Sequence, residues 1–149
     1  MSGTTRKVAV VTGASRGAGR GIARALGAQG YRVYVTGRTL HEGDADLPGT
    51  IGSAAQAVTD AGGEGIAVRV DHSNADEIAA LFAQVERESG RLDILVNNAA
   101  ALHDDLVKPG PFWEKSPDLV GILDVGLRSA YLASWHAAPI MVKQKSGLI

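Results

Sequence analysis

Residues 7–19 read Lys7-Val8-Ala9-Val10-Val11-Thr12-Gly13-Ala14-Ser15-Arg16-Gly17-Ala18-Gly19, and this stretch decides the fold of the 149-residue chain. Its first six residues form a mainly apolar run closed by Gly13, which is typical of a strand buried on both faces of a sheet. Apolar residues at helical spacing follow, and Gly30 stands where such a helix would end. The pattern predicts a strand, a tight glycine-rich turn and a helix, in that order.

The rest of the chain repeats this alternation of strand and helix. Further strands are predicted at residues 31–36, 65–70 and 92–96. Further helices are predicted at 50–61, from a capping box at 73–76 to Gly90, and from Ser116 and Pro117 over a long stretch toward Lys143. Strands and helices at this spacing predict right-handed crossovers and an α/β doubly wound fold, a parallel sheet with helices on both faces.

Composition and charge exclude several classes of function. The chain is 45% hydrophobic and 21% charged with a formal net charge of −1, which fits one soluble domain over residues 1–149 and provides no basic face for nucleic acid. The absence of cysteine excludes disulfides and thiol nucleophiles, and no two histidines have the spacing of a zinc site, so no metal site is predicted. The apolar runs are too short to span a membrane and residues 1–7 lack the apolar core of a signal peptide, so a cytoplasmic location is expected.

The glycines at positions 13, 17 and 19 indicate where the chemistry lies. The backbone amides of such a turn, together with a helix N-terminus, can hold a pyrophosphate, and glycine permits the close approach. The spacing is G-x-x-x-G-x-G and no Lys-Ser/Thr pair follows, so an ATP- or GTP-binding P-loop is excluded and a dinucleotide is favoured. The alternative is a glycine-rich turn that binds nothing, which the strand and helix on either side disfavour.

Two separated motifs resemble those of the short-chain dehydrogenase/reductase family. The family fingerprint Thr-Gly-x-x-x-Gly-x-Gly stands here as Thr12, Gly13, Gly17 and Gly19. The second fingerprint, Asn-Asn-Ala-Gly at the end of the fourth strand, stands as Asn97-Asn98-Ala99-Ala100, with alanine in place of glycine. The resemblance extends over essentially the whole chain and implies a Rossmann-type sheet with strand order 3-2-1-4, truncated at the start of strand 5.

The resemblance also implies which residues contact a dinucleotide. Asp71, just past the third strand, matches the family's acid that contacts the adenine. At the end of the second strand, where an acid would favour NAD, the chain has Gly37 and then Arg38, and Arg16 lies within the glycine loop. Two cations and no carboxylate favour NADP(H) over NAD(H), with solvated surface arginines as the alternative. The cofactor-binding set expected from these comparisons is Thr12, Gly13, Ser15, Arg16, Gly17, Ala18, Gly19, Arg38, Asp71, Asn98 and Ala99.

The stretches Phe112-Trp113-Glu114 and Asp124-Val125-Gly126-Leu127-Arg128 are similar to the dehydrogenase/reductase member 1-like branch of that family. Gly126 stands where most of the family has an asparagine that supports a proton-relay water. The family uses a Tyr-x-x-x-Lys pair as its general acid and a serine to polarise the carbonyl. None of the three tyrosines has a lysine four residues on, so this chain has no predicted catalytic residues. The family pattern places them after a fifth strand, beyond Ile149.

These observations support two hypotheses about function. The first is the cofactor-binding half of an NADP(H)-dependent oxidoreductase that acts on a small-molecule carbonyl or secondary alcohol. The second is a non-catalytic dinucleotide-binding or scaffolding module that lacks the Ser/Tyr/Lys set. Residues 147–149 are expected to begin a fifth strand, and the 149-residue chain by itself is expected to bind NADPH weakly and to turn over nothing. The long helix resembles one that builds the family's dimer interface, so the intact protein is expected to be a homo-oligomer, a dimer or a tetramer, with no nucleic-acid or membrane partner.

Overall fold

The computed structural model describes residues 6–149. The strands of these residues are β1 (Val8–Val11), β2 (Arg32–Gly37), β3 (Glu64–Arg69) and β4 (Ile94–Val96). The α-helices are α1 (Gly17–Ala28), α2 (Ile51–Asp60), α3 (Ala75–Ser89) and α4 (Ser129–Gln144). All strand pairs are parallel and the sheet order is β3-β2-β1-β4, so the predicted doubly wound fold and its strand order are confirmed.

The sheet is covered on both faces, which explains why β1 has no polar side. Val8 and Val10 pack into a core that α3 and α4 cover, whereas Ala9 and Val11 pack into a second core covered by α1 and α2. Successive strand residues point to opposite faces, so a strand between two helical layers is apolar at every position. Each covering helix contributes an apolar stripe, and for α3 this stripe is Ile78, Leu81, Phe82 and Val85.

Parallel pairing brings the carboxyl ends of the strands to one edge of the sheet. Val11 pairs with Val35 of β2 and with Val96 of β4, so these strands end level with one another. The turns that leave this edge begin at Thr12, Arg38 and Asn97. Ligands of doubly wound sheets bind at this edge. The predicted site residues lie along it because they follow the carboxyl ends of the strands.

The chain returns to the sheet at its last residues. The Leu148 carbonyl accepts the N–H of Leu95 at 2.9 Å, and the Leu148 N–H donates to the Asp93 carbonyl at 3.0 Å. Leu148 thereby forms a parallel bridge with Ile94, on the side of β4 that does not face β1. Where the sequence predicts the start of a fifth strand at residues 147–149, the structure shows a single parallel bridge at Leu148.

The predicted long helix from residue 117 toward Lys143 is wrong in its first half. Residues Pro117–Leu123 form a 3-10 helix, with Pro117 in the first turn and Ser116 as its N-cap, and α4 begins only at Ser129. The interruption lies at Val125 and Gly126, where the φ of Gly126 is +152°, a conformation that glycine alone adopts readily. The Val125 carbonyl accepts the N–H of Ala101 instead of continuing a helix.

The predicted capping box at residues 73–76 is also wrong. The N-cap of α3 is Asn74, whose Oδ1 accepts the N–H groups of Asp76 at 2.9 Å and Glu77 at 3.3 Å. The Ser73 hydroxyl is directed to the Asp71 carboxylate, to which it donates at 2.7 Å. An asparagine satisfies the same free N–H groups, so the helix begins one residue later than predicted.

Within residues 6–149, no helix combines the length and the apolarity that crossing a membrane requires.

Candidate functional site

Thr12, directly after β1, joins the glycine loop to the turn after β4. Its buried Oγ1 accepts the backbone N–H of Asn98 at 2.9 Å and of Ala99 at 3.0 Å. The Asn98 amide completes the junction, because its Nδ2 donates to the carbonyl oxygens of Thr12 at 2.9 Å and Gly13 at 3.0 Å. The two motifs, 86 residues apart in sequence, are therefore held together by four hydrogen bonds.

The glycines of the loop allow this junction to close. A Cβ on Gly19 would lie 2.8 Å from the Gly13 carbonyl oxygen and would overlap the Asn98 amide nitrogen. A Cβ on Gly13 would lie 2.7 Å from the Cα of Ala99, which is too close for any side chain. Gly17 has open space around its Cβ position, so packing does not require glycine there. Its φ of +56°, which glycine adopts without strain, turns the chain into α1. Two glycines thus permit close packing, and the third sets the turn.

The N-terminus of α1 points its free N–H groups out of this loop. Arg16 is the N-cap and its side chain makes no hydrogen bond to the helix, and the first turn carries no acidic residue. Gly17 and Ala18 are exposed, whereas Ser15 and Gly19 are buried. Because the first N–H groups of a helix have no acceptor within it and carry its positive dipole end, they favour a bound anion. This part of the site is suited chemically to phosphate groups.

The two arginines predicted at the cofactor occupy different surroundings. The Arg16 Nη2 donates to the Thr39 hydroxyl at 2.9 Å and to the Gly49 carbonyl at 3.0 Å, so this side chain ties the loop at residues 39–49 to the glycine loop. Its Nε is buried without a hydrogen-bond partner in the part of the chain that the structure describes. Arg38 is exposed at the end of β2 and lies close enough to Asp71 to lower the pKa of that carboxyl. Both cations therefore lie on the β2 side of the sheet edge.

Asp71 is held in a turn between β3 and α3. Its Oδ1 accepts the Ser73 hydroxyl at 2.7 Å and the Ser73 backbone N–H at 2.9 Å. These two hydrogen bonds from Ser73, followed by the more distant charges of Arg38 and Arg69, hold the pKa of Asp71 below its usual value. The carboxylate is therefore ionised at neutral pH and can accept hydrogen bonds from a ligand.

Sequence reasoning missed two side chains beside Asp71. His72 is 5% exposed and its Nε2 lies 2.7 Å from the Thr36 hydroxyl, which joins the ends of β2 and β3. Burial lowers the pKa of His72 to about 4. Glu77, in the first turn of α3, accepts the Asp71 backbone N–H at 2.7 Å. The Asn-x-x-Glu spacing at Asn74 was a signal for a helix start, but nothing local paired Glu77 with Asp71.

The site's geometry agrees with a family comparison. The family model described as short chain dehydrogenase matches residues 7–149, which is nearly the whole chain. The chain belongs to the short-chain dehydrogenase/reductase family. The family is one of dehydrogenases, and the chain has the Rossmann fold of its solved structural neighbours.

Curated relatives and a solved structure support the assignment. The chain is 44% identical to the mouse protein "Dehydrogenase/reductase SDR family member 1" over 147 residues, which cover 96% of this chain and 44% of that protein. It is 36% identical to a 3-oxoacyl-[acyl-carrier-protein] reductase of Synechocystis, covering 100% of this chain and 56% of that protein. A metagenomic short-chain oxidoreductase in complex with NADP superposes with a TM-score of 0.81 at 36% identity, covering 95% of this chain and 60% of that one. The chain therefore spans about half the length of the curated relatives that it matches.

Two departures from the short-chain dehydrogenase/reductase motifs have a clear place in the fold. Ala100 is exposed beyond the Thr12 junction, so its methyl group does not disturb the hydrogen bonds of Asn98 and Ala99. Gly126 lies at the interruption before α4, where its N–H donates to the Ser129 hydroxyl at 3.1 Å. A side chain at Gly126 would strain this backbone conformation.

Proposed function

We propose that this chain is the cofactor-binding part of an NADP(H)-dependent oxidoreductase that acts on a carbonyl or a secondary alcohol. The observation that carries the proposal is the junction at Thr12, which places a glycine loop, a helix N-terminus and the Asn98–Ala99 turn at one edge of the sheet. Arg38 follows the end of β2, Arg16 lies in the glycine loop, and neither position carries a carboxylate. This supports NADP(H), whose 2′-phosphate is anionic, over NAD(H). The NADP bound by one solved relative is consistent with that choice.

Each part of the site has a proposed task. The N–H groups at residues 17–19 bind the pyrophosphate, with Thr12, Gly13 and Ser15 shaping the loop beneath it. Arg16 and Arg38 bind the 2′-phosphate, and the hydrogen bonds of Arg16 to the loop at residues 39–49 hold its guanidinium in place for this task. Asp71 accepts a hydrogen bond from the adenine, and Asn98 and Ala99 form the wall beside the nucleoside.

The chemistry itself needs groups that these residues do not include. NADP(H), when bound, supplies or accepts the hydride, and the substrate oxygen needs a proton donor. The sequence has no tyrosine followed four residues later by a lysine. We therefore expect the 149 residues, which form one Rossmann domain in this proposal, to bind the cofactor without turning over a substrate. The substrate is a small molecule and the intact protein is a homo-oligomer, both by analogy with the family.

The experiment is a comparison of NADPH and NADH binding by ligand-observed NMR, which measures dissociation constants into the millimolar range. NADPH is expected to bind at least about tenfold more tightly, and Arg38→Ala should remove most of that difference. Arg24→Ala is the matched control, because Arg24 is an exposed arginine on α1 away from the sheet edge. Equal affinities of the original chain for NADPH and NADH would overturn the proposed cofactor.

A further inference from the structure

The turn after β3 contains a chain of hydrogen bonds that fixes Asp71 from two sides. On its backbone side, Glu77 Oε2 accepts the Asp71 N–H at 2.7 Å and the Arg69 Nη1 at 3.0 Å. On its side-chain side, both hydrogen bonds from Ser73 go to Oδ1. The residue is therefore restrained at its amide and at one carboxylate oxygen.

This arrangement leaves one oxygen of Asp71 for a ligand. Within residues 6–149, Oδ2 accepts no hydrogen bond, while Oδ1 already has two donors. An ionised carboxylate offers about four acceptor positions, so Oδ2 keeps its full capacity. The direction in which Oδ2 points depends on the backbone at residue 71, which the Glu77 bond holds.

Glu77 is itself well placed for this restraint. It lies in the first turn of α3, where the Asn74 side chain accepts its N–H, so its backbone belongs to the helix and not to the turn. Arg69, at the last position of β3, donates to the same Glu77 oxygen, Oε2, that accepts the Asp71 N–H. That ion pair is partly exposed and worth little stability, so its main effect is to orient the Glu77 oxygen toward the Asp71 amide.

We infer that Glu77 is a positioning residue for adenine recognition, acting through the Asp71 amide so that Asp71 Oδ2 accepts a hydrogen bond from the exocyclic amino group of adenine. The inference rests on the proposed function, which assigns adenine to Asp71. The Glu77 carboxylate thus never contacts the cofactor, but it controls how strongly the site prefers adenine over other bases.

The test compares NADPH with its hypoxanthine analogue, in which a keto oxygen replaces the amino group. A carboxylate cannot donate to that oxygen, so the full chain should bind NADPH about tenfold more tightly than the analogue. Asp71→Asn should remove the preference, because an amide can donate to the keto oxygen. Glu77→Ala should lower the ratio to about threefold or less, and Glu77→Gln, which keeps an oxygen acceptor for the Asp71 N–H, should restore most of it.

Glu86→Ala is the matched control, since Glu86 is on the same helix and pairs at its surface with Lys143. It should leave the ratio unchanged. If Glu77→Ala fails to fold, Glu77→Asp replaces it, because the shorter side chain withdraws its oxygen from the Asp71 amide while keeping the charge.

The outcomes separate this inference from the function on which it rests. A chain with no preference for adenine would overturn the assignment of adenine to Asp71. A preference that Asp71→Asn abolishes but Glu77→Ala retains would overturn the inference about Glu77 alone. Loss of the ratio in Glu77→Ala without recovery in Glu77→Gln would show that the charge of Glu77, and not its hydrogen bond to the amide, is responsible, and would also overturn it.

Discussion

The junction at Thr12 can be tested by replacing its hydroxyl with a methyl group in Thr12→Val. The residue is 2% exposed, and valine has the same branched shape at Cβ, so the main effect of the change is the loss of the hydroxyl's hydrogen bonds. Two backbone N–H groups, those of Asn98 and Ala99, lose their acceptor. The Val96 carbonyl loses one donor but keeps the Thr12 N–H at 3.0 Å.

The expected cost follows from these losses. An N–H left without an acceptor in a buried place costs about 1–3 kcal/mol, and both amides are only partly buried, so the lower end of that range applies to each. The two together give about 2–3 kcal/mol, from which the added apolar burial of valine subtracts somewhat less than about 1 kcal/mol. Thr12→Val should therefore lower the free energy of unfolding by about 2 kcal/mol. Thr12→Ser keeps the hydroxyl and loses one methyl group, a cost of about 1 kcal/mol.

Two measurements check this prediction. Urea unfolding followed by circular dichroism gives the free energies, provided that the slope with denaturant is unchanged. Amide hydrogen exchange gives the local effect: protection of the Asn98 and Ala99 amides should fall at least about tenfold in Thr12→Val and stay near its original value in Thr12→Ser. Unchanged protection of these two amides in Thr12→Val would refute the reasoning, because the hydroxyl would then not be what holds the turn after β4.

Two further predictions concern His72 and Gly19. The pKa of His72 is about 4 in the folded chain and 6.5 in the unfolded chain. The neutral, buried His72 therefore contributes its full stability above pH 6.5, and the free energy of unfolding falls by about 3 kcal/mol in total as the pH drops from 6.5 toward and below 4. His72→Gln should flatten this part of the stability profile and His41→Gln, at an exposed loop position, should not; equal profiles for both variants would contradict the assignment. Gly19→Ala should destabilise the chain by about 1–3 kcal/mol through overpacking. Gly21→Ala, in open space on the same helix, should be neutral or stabilise the chain by up to about 1 kcal/mol. Urea unfolding measures both free energies, and a larger loss of stability in Gly21→Ala than in Gly19→Ala would refute the reasoning.

The elements predicted well from sequence are those whose signals are local. The β1 strand, the glycine turn and the end of α1 lie within one short stretch, and each has its own residue pattern. The second helix was predicted at 50–61 and observed at Ile51–Asp60 because Thr50 caps it within the same stretch. Alternation of strand and helix predicted the parallel sheet with helices on both faces, whereas its strand order was implied by the family resemblance.

The elements predicted badly depend on contacts between distant residues. β4 begins at Ile94 and not at residue 92, because the Gln144 side chain accepts the Leu92 N–H at 3.2 Å and donates to its carbonyl at 2.6 Å. The interruption before α4 depends on the Ala101 N–H that the Val125 carbonyl accepts. A hydrophobic pattern around Leu92 cannot indicate a hydrogen bond to a glutamine 52 residues away.

The candidate site shows the same division. Its glycine loop was predicted because close backbone approach demands glycine at fixed spacing, and its Asn-Asn-Ala motif was implied by the family resemblance. Its polar supports could not be predicted, because Thr36 with His72 and Glu77 with Asp71 pair across elements and each partner alone has an ordinary place in a strand, a turn or a helix. The predicted roles of the cofactor-binding residues remain predictions for the binding experiments above.

The supports also bear on how a cofactor would bind. The glycine loop is held to the turn after β4 by Thr12 and Asn98 through bonds within the protein, so its shape does not depend on a ligand to bring the two motifs together. Ordering a loop on binding would cost about 0.5–1.5 kcal/mol for each immobilised side chain, and a loop that is already fixed avoids that loss. The segment between β4 and α4 contrasts with this, because Lys115 holds its backbone through the carbonyls of Asp105 and Lys108, which are local contacts, while Trp113 lies exposed. The glycine loop, where the phosphates are proposed to bind, is therefore fixed by hydrogen bonds between distant parts of the chain, whereas residues 105–115 are held by local contacts of the Lys115 side chain.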